Sequence, residues 1–205
     1  SRIARSGRHQ NQIQRPAHVY PALSHAWLRR HGHQLNRLLH CRTAVCSGAW
    51  GLNLDLLLSS ITTQTKLLIV NAPNNPTGWT LSRQEQSAIL DHCRKTGTWI
   101  LADEVYENLY YEVTQNNCAP SFLDLACDQD KLIVVHSFSK SYLMTGWRLG
   151  WMVIPSSLNS AMSKLIEFNT SCASVFTQRA GIAAIKGRES VTPQVVQHLD
   201  RKSVV

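Results

Sequence analysis

Three short apolar runs do most to limit what this chain can fold into. Residues 66–70 (K-L-L-I-V), 98–102 (T-W-I-L-A) and 132–135 (L-I-V-V) are continuous rather than alternating. A strand covered on both faces has no polar face to alternate with, so such runs read as strands of a buried, usually parallel sheet. Residues 149–154 read as a fourth strand. Helical patterns lie between and after the runs. The clearest spans 82–95: Ser82 and Glu85 form a capping box, Ala88, Ile89 and Cys93 give an apolar face, and Gly97 is a natural stop. Shorter helical patterns cover 53–61, 156–168 and 176–185. This alternation predicts an α/β layered fold.

The chain has 205 residues, enough for one domain with a real core, and 43% of them are hydrophobic. No apolar run approaches the roughly 20 residues of a transmembrane helix. The six cysteines are scattered without a C-x-x-C pair, which reads as reduced thiols in a cytosolic protein, and no metal is expected. The net charge of +8 suggests a nucleic-acid partner until its distribution is examined. Residues 1–54 hold eight arginines, six of the nine histidines, no lysine and no acidic residue. From Asp55 onward, thirteen Lys and Arg balance thirteen Asp and Glu. The part that reads as folded therefore has no basic excess, and no nucleic-acid partner is expected for it. Residues 1–49 form an atypical Arg/His-rich segment with three readings: a basic nucleic-acid arm, a transit peptide, or a truncated or out-of-frame stretch joined to a genuine domain. The third is favoured. A helical pattern over 26–39 lacks any acidic partner.

In an open parallel sheet, ligands bind outside the carboxyl ends of the strands. Each apolar run here ends in a polar cluster. N-A-P-N-N-P-T-G (71–78) follows the first, Asp103-Glu104-Val105-Tyr106 the second, and S-F-S-K-S-Y-L-M-T-G-W-R-L-G (137–150) the third. Singly, each has an ordinary explanation. Asn, Pro and Gly make turns, Asp103 and Glu104 can start a solvated loop, and Lys140 can decorate a surface. Three such clusters at one sheet edge are harder to explain that way. Lys140 sits just past a strand end, between Ser139 and Ser141, with Arg148 eight positions on. A desolvated lysine can act as a neutral amine nucleophile. Hydroxyls and a fixed guanidinium suit a phosphate.

These three segments, in this order, resemble the landmarks of fold-type I pyridoxal 5'-phosphate enzymes, specifically the class I and II aminotransferases of the aspartate aminotransferase superfamily. The resemblance runs from about Trp50 to about Lys186. It implies a three-layer α/β sandwich with a mostly parallel sheet, here incomplete, as the cofactor-binding domain over 50–190, with 191–205 starting the C-terminal region. By resemblance, Lys140 forms the Schiff base with the cofactor aldehyde and later moves the substrate proton. Asp103 pairs with the pyridine nitrogen. Asn75 and Tyr106 face the 3'-oxygen, and Ser137, Ser139 and Arg148 bind the phosphate. The implied reaction passes an amino group between an amino acid and a 2-oxo acid in a cytoplasmic homodimer with no membrane partner.

Two other functions remain open at this stage. One is a Cα/Cβ lyase sharing the same cofactor loops. The other is a non-catalytic aminotransferase-like regulator or nucleic-acid-binding protein. The family's upstream Gly-rich phosphate loop has no counterpart in 1–54, and Tyr20 is a possible remnant of its ring-stacking aromatic. The arginine that holds the substrate α-carboxylate is expected beyond Val205. A chain with so much of the family's length missing is expected to expose apolar surface and to be poorly soluble or unstable alone.

Overall fold

The computed structural model describes residues 38–41, 44–46, 49–112, 114 and 117–200. Five strands form the main sheet: β1 (Leu38–His40), β4 (Leu67–Asn71), β5 (Trp99–Asp103), β6 (Leu132–Ser137) and β7 (Gly150–Val153), side by side in that order. The pairs β1/β4, β4/β5 and β5/β6 are parallel, and β6/β7 is antiparallel. Strands β2 (Ala44–Cys46) and β3 (Ala49–Gly51) form a separate antiparallel pair. The helices are α1 (Leu54–Ser60), α2 (Arg83–Thr96), α3 (Asn159–Thr170), α4 (Val175–Lys186) and α5 (Arg188–Asp200).

The core lies on one face of the sheet. Leu68 and Val70 of β4, Ile100 and Ala102 of β5, and Leu132 and Val134 of β6 are buried against Leu57 of α1 and Ile89, Leu90 and Cys93 of α2. The opposite face of these strands, carrying Leu67, Ile69, Leu101, Ile133 and Val135, is only half-buried. The continuous runs are thus explained, because both faces are apolar, but only one is fully covered among the described residues.

Helix α2 forms as its sequence directs. The Ser82 hydroxyl accepts from the Glu85 N–H at 3.2 Å, and the Glu85 carboxylate accepts from the Ser82 N–H at 2.7 Å. Gly97 ends the helix in the left-handed region at φ 73°, where a side chain would be strained. Asn53 caps α1 by accepting from the Leu56 N–H at 2.9 Å.

Three features depart from the expectation. The 26–39 helical pattern lies almost wholly outside the described residues, and its last two positions belong to strand β1. Leu39 and Cys41 pack against the core, and the Cys41 N–H donates to the Ile69 carbonyl at 2.8 Å. The 156–168 pattern resolves into a 3-10 turn, Ser156–Leu158, followed by α3. Helix α5 runs across residue 190 and contains Pro193. Cys41, Cys93, Cys118, Cys127 and Cys172 are unbridged. Among the described residues, no helix is long and apolar enough to cross a membrane. Tyr20 and most of 1–49 lie outside the described residues.

Candidate active site

The parallel register brings the three loops together. Asn71, the last residue of β4, pairs with Asp103, the last of β5, and Asp103 pairs with Val135 of β6. Asn71, Asp103 and Ser137 therefore finish their strands on the half-buried face.

The first loop is tied by asparagines. Asn71 Oδ1 accepts from the Asn75 N–H at 2.9 Å and from Asn74 Nδ2 at 3.2 Å. Asn74 Oδ1 accepts from the Thr77 hydroxyl at 2.8 Å, and Gly78 turns the chain at φ 70°. The loop so fixed presents the Asn75 amide, whose Nδ2 donates to the Tyr106 hydroxyl at 3.1 Å. The Lys140 ammonium lies 5.3 Å from the centre of the Tyr106 ring.

Asp103 is the most informative residue here. Its Oδ1 is buried and has no hydrogen-bond partner among the described residues. Burial pushes its carboxyl above the usual carboxylate range; bonds from the Val105 N–H and the Asn71 side chain, and the charges of His136 and Lys140, pull the other way. A buried carboxylate oxygen without a donor is costly to the fold. A protonated ring nitrogen would satisfy it, so the residues present fit the pyridine of pyridoxal phosphate.

The third loop is a compact turn. The Phe138 carbonyl accepts from the Met144 N–H at 3.2 Å, and the Phe138 N–H donates to Leu149 at 3.1 Å. Within it the Ser139 N–H donates to Ser137 Oγ at 3.1 Å, and Lys140 is half-buried. The Thr145 hydroxyl donates to the Ser139 carbonyl at 2.9 Å, while the Thr145 carbonyl accepts from Arg148 Nη1 at 3.0 Å. Arg148 is exposed and left-handed, φ 52°. The turn closes onto β7 at Gly150, where a Cβ would meet the His136 carbonyl oxygen at 2.7 Å, so no larger residue fits without moving the strand. The structure thus brings Asn75, Tyr106, Lys140 and Asp103 to one sheet edge. Ser137, Ser139 and Arg148 share the adjoining turn.

Sequence reasoning passed over a buried polar group on the other face. Glu104, given no role by its sequence motif, is 3% exposed. Its oxygens accept from the Ser121 hydroxyl at 2.6 Å and the Phe122 N–H at 3.0 Å. Burial raises its carboxyl above the usual range, opposed by those two bonds. His136 is also buried, and its Nδ1 lies against the Glu107 carboxylate without forming an aligned hydrogen bond. Asn71 was quoted within its motif but given no role.

An amine, a carboxylate and a phenol gathered at the carboxyl edge of a mostly parallel sheet stand where open α/β folds bind their ligands. The sequence profile of aminotransferase class I and II matches residues 12–202, and the chain belongs to that family. The match begins well upstream of Trp50. An aspartate aminotransferase of Pyrococcus horikoshii is 35% identical over 152 residues, covering 73% of this chain and 38% of the relative. An aromatic-amino-acid aminotransferase of Thermococcus litoralis is 33% identical over 151 residues, covering 74% of this chain and 38% of its own length. The solved structure of a Thermus thermophilus aspartate aminotransferase double mutant superposes with a TM-score of 0.66 at 26% identity, covering 73% of this chain and 38% of that one. The chain spans somewhat more than a third of the length of the relatives it matches.

Proposed function

We propose that this chain carries the cofactor-binding part of a pyridoxal 5'-phosphate-dependent aminotransferase acting on an amino acid and a 2-oxo acid. The buried Asp103 Oδ1, which has no donor among the described residues, carries the reading, because it asks for a cationic N–H where Lys140, Tyr106 and Asn75 also converge. The bound cofactor supplies an electron-accepting ring and an aldehyde. The remaining chemistry belongs to the chain. Asp103 holds the proton on the ring nitrogen. Tyr106 and Asn75 hydrogen-bond the 3'-oxygen. Ser137, Ser139 and Arg148 hold the phosphate. Lys140 Nζ would hold the cofactor through its aldehyde and, as a free amine, would take and return the substrate's Cα proton.

Within this reading, residues 50–190 are the cofactor domain, extended by β1, and 191–205 begin the C-terminal region. The intact protein is a cytoplasmic homodimer. Unbridged cysteines support the reducing compartment. The relatives' names span aspartate and aromatic amino acids, so the substrate class is put no more narrowly than α-amino acids.

Borohydride trapping tests the assignment. The chain is mixed with pyridoxal phosphate, reduced and digested, and the modified peptide is found by mass spectrometry. The expected product is one dominant adduct on Lys140, lost in Lys140→Ala. Label spread over several lysines, or unchanged labelling of the variant, refutes it.

A further inference from the structure

The core face of the sheet gathers three ligand-type side chains from two strand ends far apart in sequence. The Glu104 N–H donates to the Val135 carbonyl at 3.0 Å, which sets the exit of β5 beside His136 of β6. The Glu107 N–H donates back to the Glu104 carbonyl at 3.0 Å and closes a turn between the two glutamates. One oxygen of each carboxylate and one ring nitrogen of His136 all lie within 4.8 Å of one another. The imidazole is 7% exposed, and its ring is held flat against Trp151, its register partner on β7, with centroids 4.9 Å apart and planes 16° from parallel.

The ring nitrogen Nδ1 is buried in this cluster and has no hydrogen-bond partner among the described residues. Two carboxylates brought this close out of water are costly without a cation between them. Among the described residues, no lysine or arginine forms an ion pair with either glutamate; Arg188 of α5 reaches the Cys118 sulfur at 2.9 Å instead. Each glutamate is steadied from outside the cluster. Glu104 accepts from the Ser121 hydroxyl at 2.6 Å and the Phe122 N–H at 3.0 Å, and Glu107 Oε1 accepts from Asn108 Nδ2 at 3.0 Å. A carboxylate oxygen has two lone pairs, so these bonds orient the ligands and leave capacity for an ion, as outer partners do in metal sites. A groove of about 1480 Å³ opens beside the cluster, with Glu107, Asn108, Ser121, His136, Arg188 and Thr192 in its walls, so an ion and its water have a way in. One imidazole nitrogen with two carboxylate oxygens suits Zn2+ better than Mg2+ or Ca2+, which take oxygen ligands alone.

We propose that Glu104, Glu107 and His136 form a binding site for one divalent transition-metal cation, Zn2+ fitting best, held by His136 Nδ1 and an oxygen of each glutamate, with water completing its shell. The ion clips the segment after β5 to the end of β6. The site lies on the face opposite Asp103 and does not rest on the cofactor reading.

The test titrates the 205-residue chain, stripped with EDTA and kept reduced, with Co2+ while following visible absorption, and then displaces the Co2+ with Zn2+. The expected result is one equivalent bound by nitrogen and oxygen, without the intense near-ultraviolet band of thiolate ligation. His136→Gln and Glu107→Gln should each weaken it by about a hundredfold, and Ser121→Ala, which removes only an orienting bond, by about tenfold. Changing His9, His18, His25, His31 and His33 together to glutamine should leave it in place. A buried histidine variant can unfold, so the unmodified chain, labelled at its histidine nitrogens, gives a second reading: Zn2+ is expected to shift the Nδ1 signal of His136. An equivalent that shows the thiolate band, survives His136→Gln or vanishes with the five upstream histidines places the ion elsewhere and overturns the proposal. Absence of binding overturns it too, as does a His136 signal that stays put while Zn2+ is added; Glu107 and His136 are then a plain buried pair.

Discussion

Asp103 shows what a functional residue costs before it has its ligand. A carboxyl whose native pKa is raised by burial binds its proton more readily folded than unfolded. Raising the pH through that range therefore favours the unfolded chain, and at neutral pH the residue lowers stability. Asp103→Asn is expected to raise the melting temperature of the cofactor-free chain by a few degrees while abolishing productive cofactor binding, as thermal melts with and without pyridoxal phosphate would show. Asp130 is the opposite case. Arg94 grips it with two bonds of 2.7 Å, the Cys127 N–H adds a third at 2.8 Å, and its carboxyl is lowered to about 2, chiefly by Arg94. That stabilisation is full above the ordinary carboxylate range and disappears as pH falls towards 2. Arg94 is partly exposed, so the expected cost of Asp130→Asn at pH 7 is about 1–2 kcal/mol. In chemical denaturation the gap from the parent should close below about pH 3. Asn75, Asp103, Tyr106 and Lys140 were legible because their chemistry sits in unusual local strings. His136 and Glu107 were not, since a histidine after V-V and a glutamate after a tyrosine look like ordinary polar ends until the fold sets their side chains in contact.

Elements were legible where both ends carried a chemical signal. Helix α2 has its capping box and its left-handed Gly97 as the sequence required. Ser82→Ala is expected to cost about 1 kcal/mol in urea denaturation with the m-value unchanged. Strand β1 was hidden: three residues inside an arginine-rich stretch carry no period, and only pairing with β4 makes them a strand. Helix α5 was hidden for a different reason. The last helical pattern read from the sequence ends at 185, and Pro193, which lacks an N–H, disguises the helix that continues through it. The direction of β7 was equally unreadable, because an apolar run does not reveal which way it will pair.

The whole molecule presents an unusual amount of apolar surface on its later helices. Phe168 is 94% exposed, and Leu165 and Ile166 of α3 and Val175, Phe176, Ile182 and Ile185 of α4 are exposed with it. A soluble monomer rarely carries such a surface uncovered. The purified chain is expected to bind a hydrophobic dye strongly and to self-associate with rising concentration in light scattering. A monodisperse monomer with little dye binding would contradict this. Exposed apolar surface was expected from the sequence, but not where it falls, since helical patterns show which residues are apolar and not what lies against them.

The Asn71 side chain has a practical consequence. It accepts from the Asn75 N–H and Asn74 Nδ2 in its own loop and reaches the Asp103 carbonyl on the next strand at 3.4 Å. One amide thus sets the gauge between two loops that contribute different groups to the same site. Libraries that vary 76 and 77 while keeping Asn71 and Gly78 should yield many foldable, cofactor-competent clones. Libraries that randomise Asn71 should yield few, even with every proposed cofactor contact intact.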